Sequence, residues 1–335
     1  VPEHPERVLA LSSAADTILL GLIEPNRLVG INKLSTYEEY SLEAKRAKLV
    51  KPVLGSYPLE KVIALKPDLV IAPDYTSADV IDGLRHMGIP TVVVPTPSTV
   101  EEVIHNITDI AHVVGEDEKG QLYTQKIRRE LDEMKRLGAS IPVEQRKSVL
   151  FVSSMDGYTG TGSLFDDMCK YMSIYNAPDL LGLPPRTPFG DERVIAMEPD
   201  YIFIPSYKGM DKTLASRYLD NPAFQNLSAV RENRVKPLPA AYLYTMNQHI
   251  GEAMLAIMHT VYPQFMAIAI IGVLLCIVSL LALHLGTIMI PIGGGIQSIL
   301  NGMGIPVHFT EPITAEQEAV LWFIRMPRLI IGLLV

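Results

Sequence analysis

Residues 60 to 73 read EKVIALKPDLVIAP, and residues 192 to 205 read ERVIAMEPDYIFIP. In the first copy, apolar residues recur at helical spacing until Pro67, which pushes the residue before it out of the helical region. The apolar run that follows is typical of a strand buried on both faces of a parallel sheet. Each copy therefore predicts a short helix that leads into a buried strand, with Val194 and Ile195 as the inward pair of the second helix.

The rest of residues 1 to 264 alternates in the same way. The runs RVLALS, PTVVVP and SVLFVSS are also bounded by Pro, Gly and Ser or by charged residues, and we interpret them as strands separated by helices. Because the repeat recurs after roughly 130 residues, it indicates two similar lobes. The predicted fold class is therefore α/β, with two Rossmann-like lobes.

A long charged segment with helical periodicity separates the two copies. It extends from Asp117 to Leu137, and its apolar positions are Leu122, Ile127, Leu131 and Met134. We expect lobe 1 over about residues 1–115, a linking helix over about 117–137 and lobe 2 over about 147–263, which together form one binding domain over 1–263. Two lobes joined in this way enclose a cleft, where small ligands bind.

The composition changes after Pro263. Residues 265–290 read FMAIAIIGVLLCIVSLLALHLGTIMI, in which His284 and the Cys276 thiol are the only ionisable side chains. A helix of this length reaches about 39 Å and can cross a hydrocarbon core of about 30 Å. The sequence thus predicts an α-helical transmembrane segment over about 265–290; the alternative is a buried core helix, which rarely stays apolar on every face. Since the chain stops inside the apolar run LIIGLLV, we expect it to be a fragment.

Several classes of function find no support in the sequence. The net charge is −8, so no basic surface is indicated for a nucleic-acid partner. Cys169 and Cys276 lie far apart, and the eight histidines are not spaced as metal ligands with each other or with cysteine. A Walker loop and a Gly-x-Ser-x-Gly motif are also absent. We therefore expect no catalytic activity, no bare metal site and no intrinsic cofactor.

Polar and aromatic residues follow the predicted strands. Ligands of open α/β sheets bind at the carboxyl ends of the strands, and tyrosines there suit a large planar or chelate ligand. The alternative for each tyrosine is that it packs on its neighbours. The candidate ligand-binding residues are Ser12, Ser13, Tyr57, Tyr75, Asp156, Tyr158, Tyr207, Tyr242, Tyr244 and Met246, and the same loops contain Asp74, Ser154 and Ser206.

Residues 1 to about 263 resemble the helical-backbone (class III) substrate-binding proteins of ABC importers for iron-siderophores, haem and cobalamin. The resemblance rests on RVLALSSAADTILLGLIEPNRLVGI, GSYPLEKVIALKPDLVIAP, and ERVIAMEPDYIFIPS followed by LSAVRENRVKPLP. It implies a metal chelate as ligand, namely a ferric siderophore, haem or a corrinoid. It also implies an extracytoplasmic binding domain at the cell membrane, a permease dimer as partner and a separate ATPase subunit.

Residues 264–335 resemble the start of the permease of the same transporters. There an Arg-Leu-Pro-Arg tetrapeptide opens the second membrane helix, and here Arg325-Met326-Pro327-Arg328 predicts a second membrane helix from about 328. In that family one carboxylate on each lobe docks onto permease arginines. The resemblance thus implies that Glu60 and Glu192 are permease-docking residues, with Arg325 and Arg328 as their complement.

Three alternatives remain open at this stage. Glu60 and Glu192 could have no docking role and could each only stabilise the first turn of a helix, by interacting favourably with the helix dipole. A single membrane crossing would leave Arg325 and Arg328 inside the cell, where the positive-inside bias also places them, whereas docking needs them outside. Either the run from Phe265 does not cross simply, or sequence is missing at the junction, or these two arginines are only cytoplasmic anchors. The chain could also be a membrane-tethered ligand sensor, or an enzyme on the same two-lobe fold.

Overall fold

The computed structural model describes residues 4–153, 159–184, 190–265, 278, 290–308 and 313–327, with only the backbone at position 210. The chain divides into two compact units, Val1–Val261 and Tyr262–Val335. The first unit contains the parallel sheets that position the site, so its elements are given first.

Lobe 1 of the first unit is built on a parallel sheet. Its elements in chain order are β1 (Val8–Ala10), α1 (Ser13–Leu22), β2 (Ile31–Asn32), α2 (Ala44–Ala47), β3 (Val53–Leu54), α3 (Leu59–Ala64), β4 (Leu69–Pro73), α4 (Ala78–His86), β5 (Thr91–Val94) and α5 (Val100–Val113). The main sheet has the order β1–β4–β5, with Val8 opposite Leu69 and Val70 opposite Thr91, and β2 pairs in parallel with β3.

One long helix, α6 (Asp117–Ala139), connects lobe 1 to lobe 2. Lobe 2 contains β6 (Ser148–Phe151), α7 (Leu164–Tyr171), β7 (Tyr175–Asn176), α8 (Asp191–Met197), β8 (Tyr201–Ser206), α9 (Met210–Leu219), α10 (Ser228–Arg231), β9 (Val235–Pro239), α11 (Ala240–Leu243) and α12 (Ile250–Val261). Its sheet is parallel throughout and has the order β7–β6–β8–β9. The chain is therefore an α/β protein with a parallel sheet in each lobe.

The two copies of the sequence repeat end their helices in the same way. The residue before the proline, Lys66 in the first copy and Glu198 in the second, has a left-handed backbone with φ of 50° and 44°. A residue before proline is disfavoured in the right-handed helical region. As a result, α3 ends before Pro67 and α8 ends before Pro199, and each chain then turns into its buried strand.

The aspartate after each proline holds the neighbouring strand in place. Asp68, which precedes β4, accepts hydrogen bonds from the backbone N–H groups of Glu6 and Arg7 at 2.8 and 3.0 Å. Asp200, which precedes β8, accepts one from the backbone N–H of Ser148 at 2.9 Å. The repeated Pro-Asp pair thus ties β4 to the entry of β1, and β8 to the entry of β6.

Two apolar side chains lie where the sequence pattern did not place them. Ile195 is 43% exposed, because α8 is only seven residues long and buries Val194 and Met197, which are three residues apart.

Leu122 is 65% exposed on α6. Near its start, α6 approaches α5 through Gly120, where an added Cβ would lie 2.5 Å from the Cβ of Ala111. Leu122, two residues further on, therefore faces away from α5.

The second unit is described in part. It contains α13 (Ile292–Gly302) and α14 (Ala315–Val320), and α14 continues into a π-helical turn over Leu321–Arg325. The indole N–H of Trp322 donates to Ser298 Oγ at 3.0 Å, and this hydroxyl donates to Glu318 Oε1 at 3.0 Å. These bonds join the two helices.

The predicted membrane helices fall almost entirely outside the described residues. Residues 266–277, 279–289 and 328–335 belong to that part of the chain. Within the ranges given above, no helix combines the length and the apolar character needed to cross a membrane.

Candidate functional site

A cavity of about 380 Å³ lies at the carboxyl ends of the lobe 1 strands. Its walls include residues that follow β1, β4 and β5, such as Ser12, Tyr75 and Thr96. Lobe 2 contributes Tyr244 and Met246, which follow α11. The cavity therefore lies where ligands of parallel α/β sheets bind, with walls from both lobes.

The start of α1 forms one wall of the cavity. Ser12 is the N-cap, and its hydroxyl accepts a hydrogen bond from the backbone N–H of Ala15 at 3.2 Å. Ser12, Ser13 and Ala14 all line the cavity. Because the first turn of a helix has N–H groups without intrahelical partners and a partial positive charge, this wall favours oxygen acceptors of a ligand.

Three tyrosines from the two lobes meet beside the cavity. The ring of Tyr40 in lobe 1 makes an edge contact with Tyr207, with ring centroids 5.5 Å apart. It stacks on Tyr244 at 6.1 Å. The Tyr244 hydroxyl lies 3.3 Å from Ser153 Oγ, which follows β6. An aromatic surface thus extends from lobe 1 into lobe 2, and it suits a flat or bulky ligand.

Further contacts hold the lobes together on the same side. The backbone N–H of Ala241 donates to the carbonyl of Glu39 at 2.9 Å. The ammonium of Lys208 lies 3.9 Å from the centre of the Tyr37 ring. Lys208 has a left-handed backbone, with φ of 49°, and such strained residues cluster at ligand clamps. The segment 37–40 of lobe 1 is therefore clasped by residues of lobe 2.

Tyr40 is a neutral phenol at physiological pH. Burial, followed by the proximity of Tyr244, raises its pKa to about 12, although its hydrogen bond with the Ser13 side chain acts in the opposite direction. The hydroxyl can therefore donate a hydrogen bond, and a phenolate is disfavoured there.

Half of the ligand-binding residues predicted from the sequence line the cavity. They are Ser12, Ser13, Tyr75, Tyr244 and Met246. Tyr207 is not part of the lining but contacts Tyr40, which is. Ser12, Ser13 and Tyr75 come together because they follow β1 and β4, which are neighbouring strands of the lobe 1 sheet, whereas Tyr244 and Met246 reach the cavity from lobe 2, after α11.

The other four predicted residues divide into two groups. Tyr57 does not line the described cavity, because it packs against the lobe 1 core around Leu9 and Leu84. Tyr242 is half-buried and is also absent from the lining. Asp156 and Tyr158, together with Ser154, lie outside the described residues.

Three polar residues of the lining, Tyr40, Thr96 and Asn106, were not predicted from the sequence. Tyr40 lies before α2 in the polar stretch STYEEYSLEA, eight residues after the end of the nearest preceding strand, β2. Asn106 is buried on α5 and donates to the carbonyl of Pro95 at 2.9 Å. A signal for Asn106 was available, since it is a polar residue within the apolar stripe of an amphipathic helix.

The predicted docking residues occupy matching positions. Glu60 lies in the first turn of α3 and Glu192 in that of α8, and both are exposed. Over the described stretches of the chain, neither carboxylate forms an ion pair. Arg325 ends the π-helical turn of the second unit, whereas Arg328 falls outside the described residues.

No group of three or more His, Cys, Asp or Glu side chains among the described residues could hold a metal ion.

Comparisons with known proteins agree with this architecture. Residues 8–242 match the family described as periplasmic binding protein. The uncharacterised ABC transporter substrate-binding lipoprotein YvrC of Bacillus subtilis is 24% identical over 78% of this chain and 82% of its own length. The iron(3+)-hydroxamate-binding protein YxeB of the same organism is 26% identical over 70% and 73%.

A solved structure gives the same result for the fold. The periplasmic haem-binding protein RhuT of Roseiflexus, in its apo form, superposes with a TM-score of 0.68 at 22% identity, covering 77% of this chain and 98% of RhuT. The family match covers well over half of the chain. The chain therefore belongs to the periplasmic binding protein family.

Proposed function

We propose that this chain is the substrate-binding component of an ABC importer, and that it captures a metal chelate outside the cell and delivers it to a permease. The observation that carries the proposal is the cavity at the strand ends, which Tyr40 and Tyr244 line from opposite lobes. The names of relatives support a ferric complex or vitamin B12 as the ligand, since they include an iron(3+)-hydroxamate-binding protein, an Fe(3+)-citrate-binding protein and a vitamin B12-binding protein. Haem is a further candidate, which rests on the resemblance of the sequence.

The proposal extends to the organisation of the chain. Lobe 1 over about 1–115, the linking helix and lobe 2 over about 147–263 form the binding domain, and α6 limits how far the lobes can separate. The assignment of 264–335 as the start of a permease rests on the sequence alone. Energy for transport would come from a separate ATPase subunit.

Docking to the permease is assigned to Glu60 and Glu192. Each is an exposed carboxylate on the first turn of a helix anchored by a buried strand. A guanidinium group binds a carboxylate through two parallel hydrogen bonds, so arginines of a permease dimer are suitable partners. Two lobes that each present one carboxylate match the two copies of a dimeric permease.

Reversing both charges is expected to block delivery and to leave chelate binding intact. We expect Glu60→Arg together with Glu192→Arg to reduce uptake about tenfold or more, because like charges then face each other across the docking surface. Uptake of a radiolabelled ferric trihydroxamate, haem or cyanocobalamin is measured in cells that lack their own importer and express this chain with its permease and ATPase.

A matched control changes the same number of charges elsewhere. Asp82 and Asp220 are exposed, one on each lobe, and Asp82→Arg with Asp220→Arg should import at the wild-type rate. If the Glu60 and Glu192 double variant also imports at that rate, with chelate binding unchanged, the docking role is wrong.

A further inference from the structure

The lining of the cavity contains hydrogen-bonding groups but no ionised side chain among the described residues. Its polar members are three tyrosines, two serines, one threonine and one asparagine, and the others are Ala, Ile, Pro, Val and Met. Lobe 1 contributes all of the lining except Tyr244 and Met246, and the structure describes the chain from 4 to 153 without a gap. The lobe 1 wall is therefore a fully described surface without charged groups.

Two charged residues that neighbour the lining or the tyrosine cluster in sequence, Asp74 and Lys208, already have partners. The carboxylate of Asp74, between Pro73 and Tyr75, accepts hydrogen bonds from the hydroxyl of Thr96 at 2.5 Å and from its backbone N–H at 3.0 Å. Lys208 follows Tyr207, and its ammonium lies over the Tyr37 ring. Neither side chain lines the cavity.

An anionic ligand would find little compensation against this wall. Removing a full charge from water costs on the order of several kcal/mol unless an opposite charge is supplied. The start of α1 supplies only about half a positive charge. The chain as a whole carries a net charge of −8, which repels anions at long range.

An uncharged chelate meets none of these penalties. Its apolar surface can pack on Tyr40 and Tyr244, and its carbonyl or hydroxamate oxygens can accept from Ser12, Ser13 and the N–H groups of the first turn of α1. Three singly charged hydroxamate groups neutralise one Fe³⁺ ion, so a ferric trihydroxamate has no net charge, whereas complexes of ferric iron with citrate or catecholates are anions.

We infer that the cleft selects metal chelates without net charge, the class that includes ferric trihydroxamates, over anionic chelates. The inference rests on the proposed function, because it specifies which chelates the same site accepts. The affinity for an uncharged chelate should also be insensitive to salt, since screening acts only on interactions between charges.

The test compares two ferric complexes with the whole chain in detergent. We expect a ferric trihydroxamate to bind about 30-fold or more tightly than ferric dicitrate, and its dissociation constant to change less than about twofold between about 50 and 500 mM salt. Tighter binding of ferric dicitrate, with a strong salt dependence, would overturn the inference and leave the proposed function standing. Failure of both complexes, and of haem and cyanocobalamin, would overturn the proposed function as well.

A variant supplies the missing charge. Ala14 is half-buried in the cavity wall. Ala14→Lys should reduce the ratio of the affinities for the trihydroxamate and the dicitrate complex about tenfold at low salt, and high salt should remove this effect. Ala14→Gln adds a side chain of similar bulk without the charge and should lower both affinities by the same factor. Equal preferences in the two variants would contradict the inference.

Discussion

The Asp16→Asn variant is expected to be more stable than the wild-type chain at about pH 8, and similarly stable at about pH 4. Asp16 is fully buried on α1, the helix whose first turn lines the cavity. Its Oδ2 accepts from the backbone N–H of Asn32 at 2.8 Å and from the hydroxyl of Ser35 at 2.9 Å. Oδ1 has no hydrogen-bond partner in the described part of the chain.

The sign of the effect follows from the direction of the pKa shift. Burial raises the pKa of Asp16 from 3.8 to about 7, and the two hydrogen bonds offset only part of that shift. The folded chain therefore holds this proton more tightly than the unfolded chain. The stability that it contributes is complete below about pH 4 and is lost as the pH rises to about 7, a change on the order of 4 kcal/mol.

Urea unfolding of the wild type and the variant across this pH range measures the difference. The difference in the free energy of unfolding should grow from about pH 4 to about pH 7 and then level off. Asp79→Asn is the control, because Asp79 is an exposed carboxylate on α4. Parallel profiles for wild type and the Asp16→Asn variant would show that this carboxyl does not titrate with a raised pKa.

Tyr40→Ala is expected to weaken chelate binding about 30-fold or more, which corresponds to about 2 kcal/mol. Tyr40 is the lobe 1 member of the tyrosine cluster, and its loss removes the contacts with Tyr207 and Tyr244 as well as one wall of the cavity. Tyr40→Phe keeps the ring and loses the hydrogen bond with Ser13, so a loss of about fivefold is expected.

The wild-type chain is first tested with a ferric trihydroxamate, haem and cyanocobalamin. Each variant is then titrated with the chelate that the wild-type chain binds, and the dissociation constants are compared. Tyr175→Ala is the control, since Tyr175 is a partly exposed tyrosine of β7 outside the cavity lining. Binding by Tyr40→Ala at wild-type strength would place the ligand elsewhere.

The fold was predictable where a local sequence pattern, such as a proline or an apolar run, matched what the packed structure needs at that position. The repeat around Pro67 and Pro199 predicted two helix–strand units, because a proline stops a helix and a continuous apolar run suits a parallel strand. The short strands β2, β3 and β7 were missed, since two residues are too few to display a periodicity.

The candidate site was predictable to the extent that it follows the strand ends. Ser12, Ser13 and Tyr75 could be found in this way, because each lies within three residues of the end of β1 or β4. Tyr57 was predicted because it lies just before the first helix of the repeat, but its side chain packs against the lobe 1 core. Tyr40 reaches the cavity from a segment between short helices, and tertiary contacts position it, namely the hydrogen bond with Ser13 and the ring contacts with lobe 2.

The most direct test of the account is equilibrium dialysis of the whole chain against a ferric trihydroxamate, haem and cyanocobalamin. The account predicts that the chain retains one of them saturably, at one molecule per chain, with a dissociation constant of about 1 μM or lower. Retention should fall with Tyr40→Ala and stay unchanged with Tyr175→Ala. If the wild-type chain retains none of the three above the level of a protein without such a cleft, capture of a metal chelate is not its function.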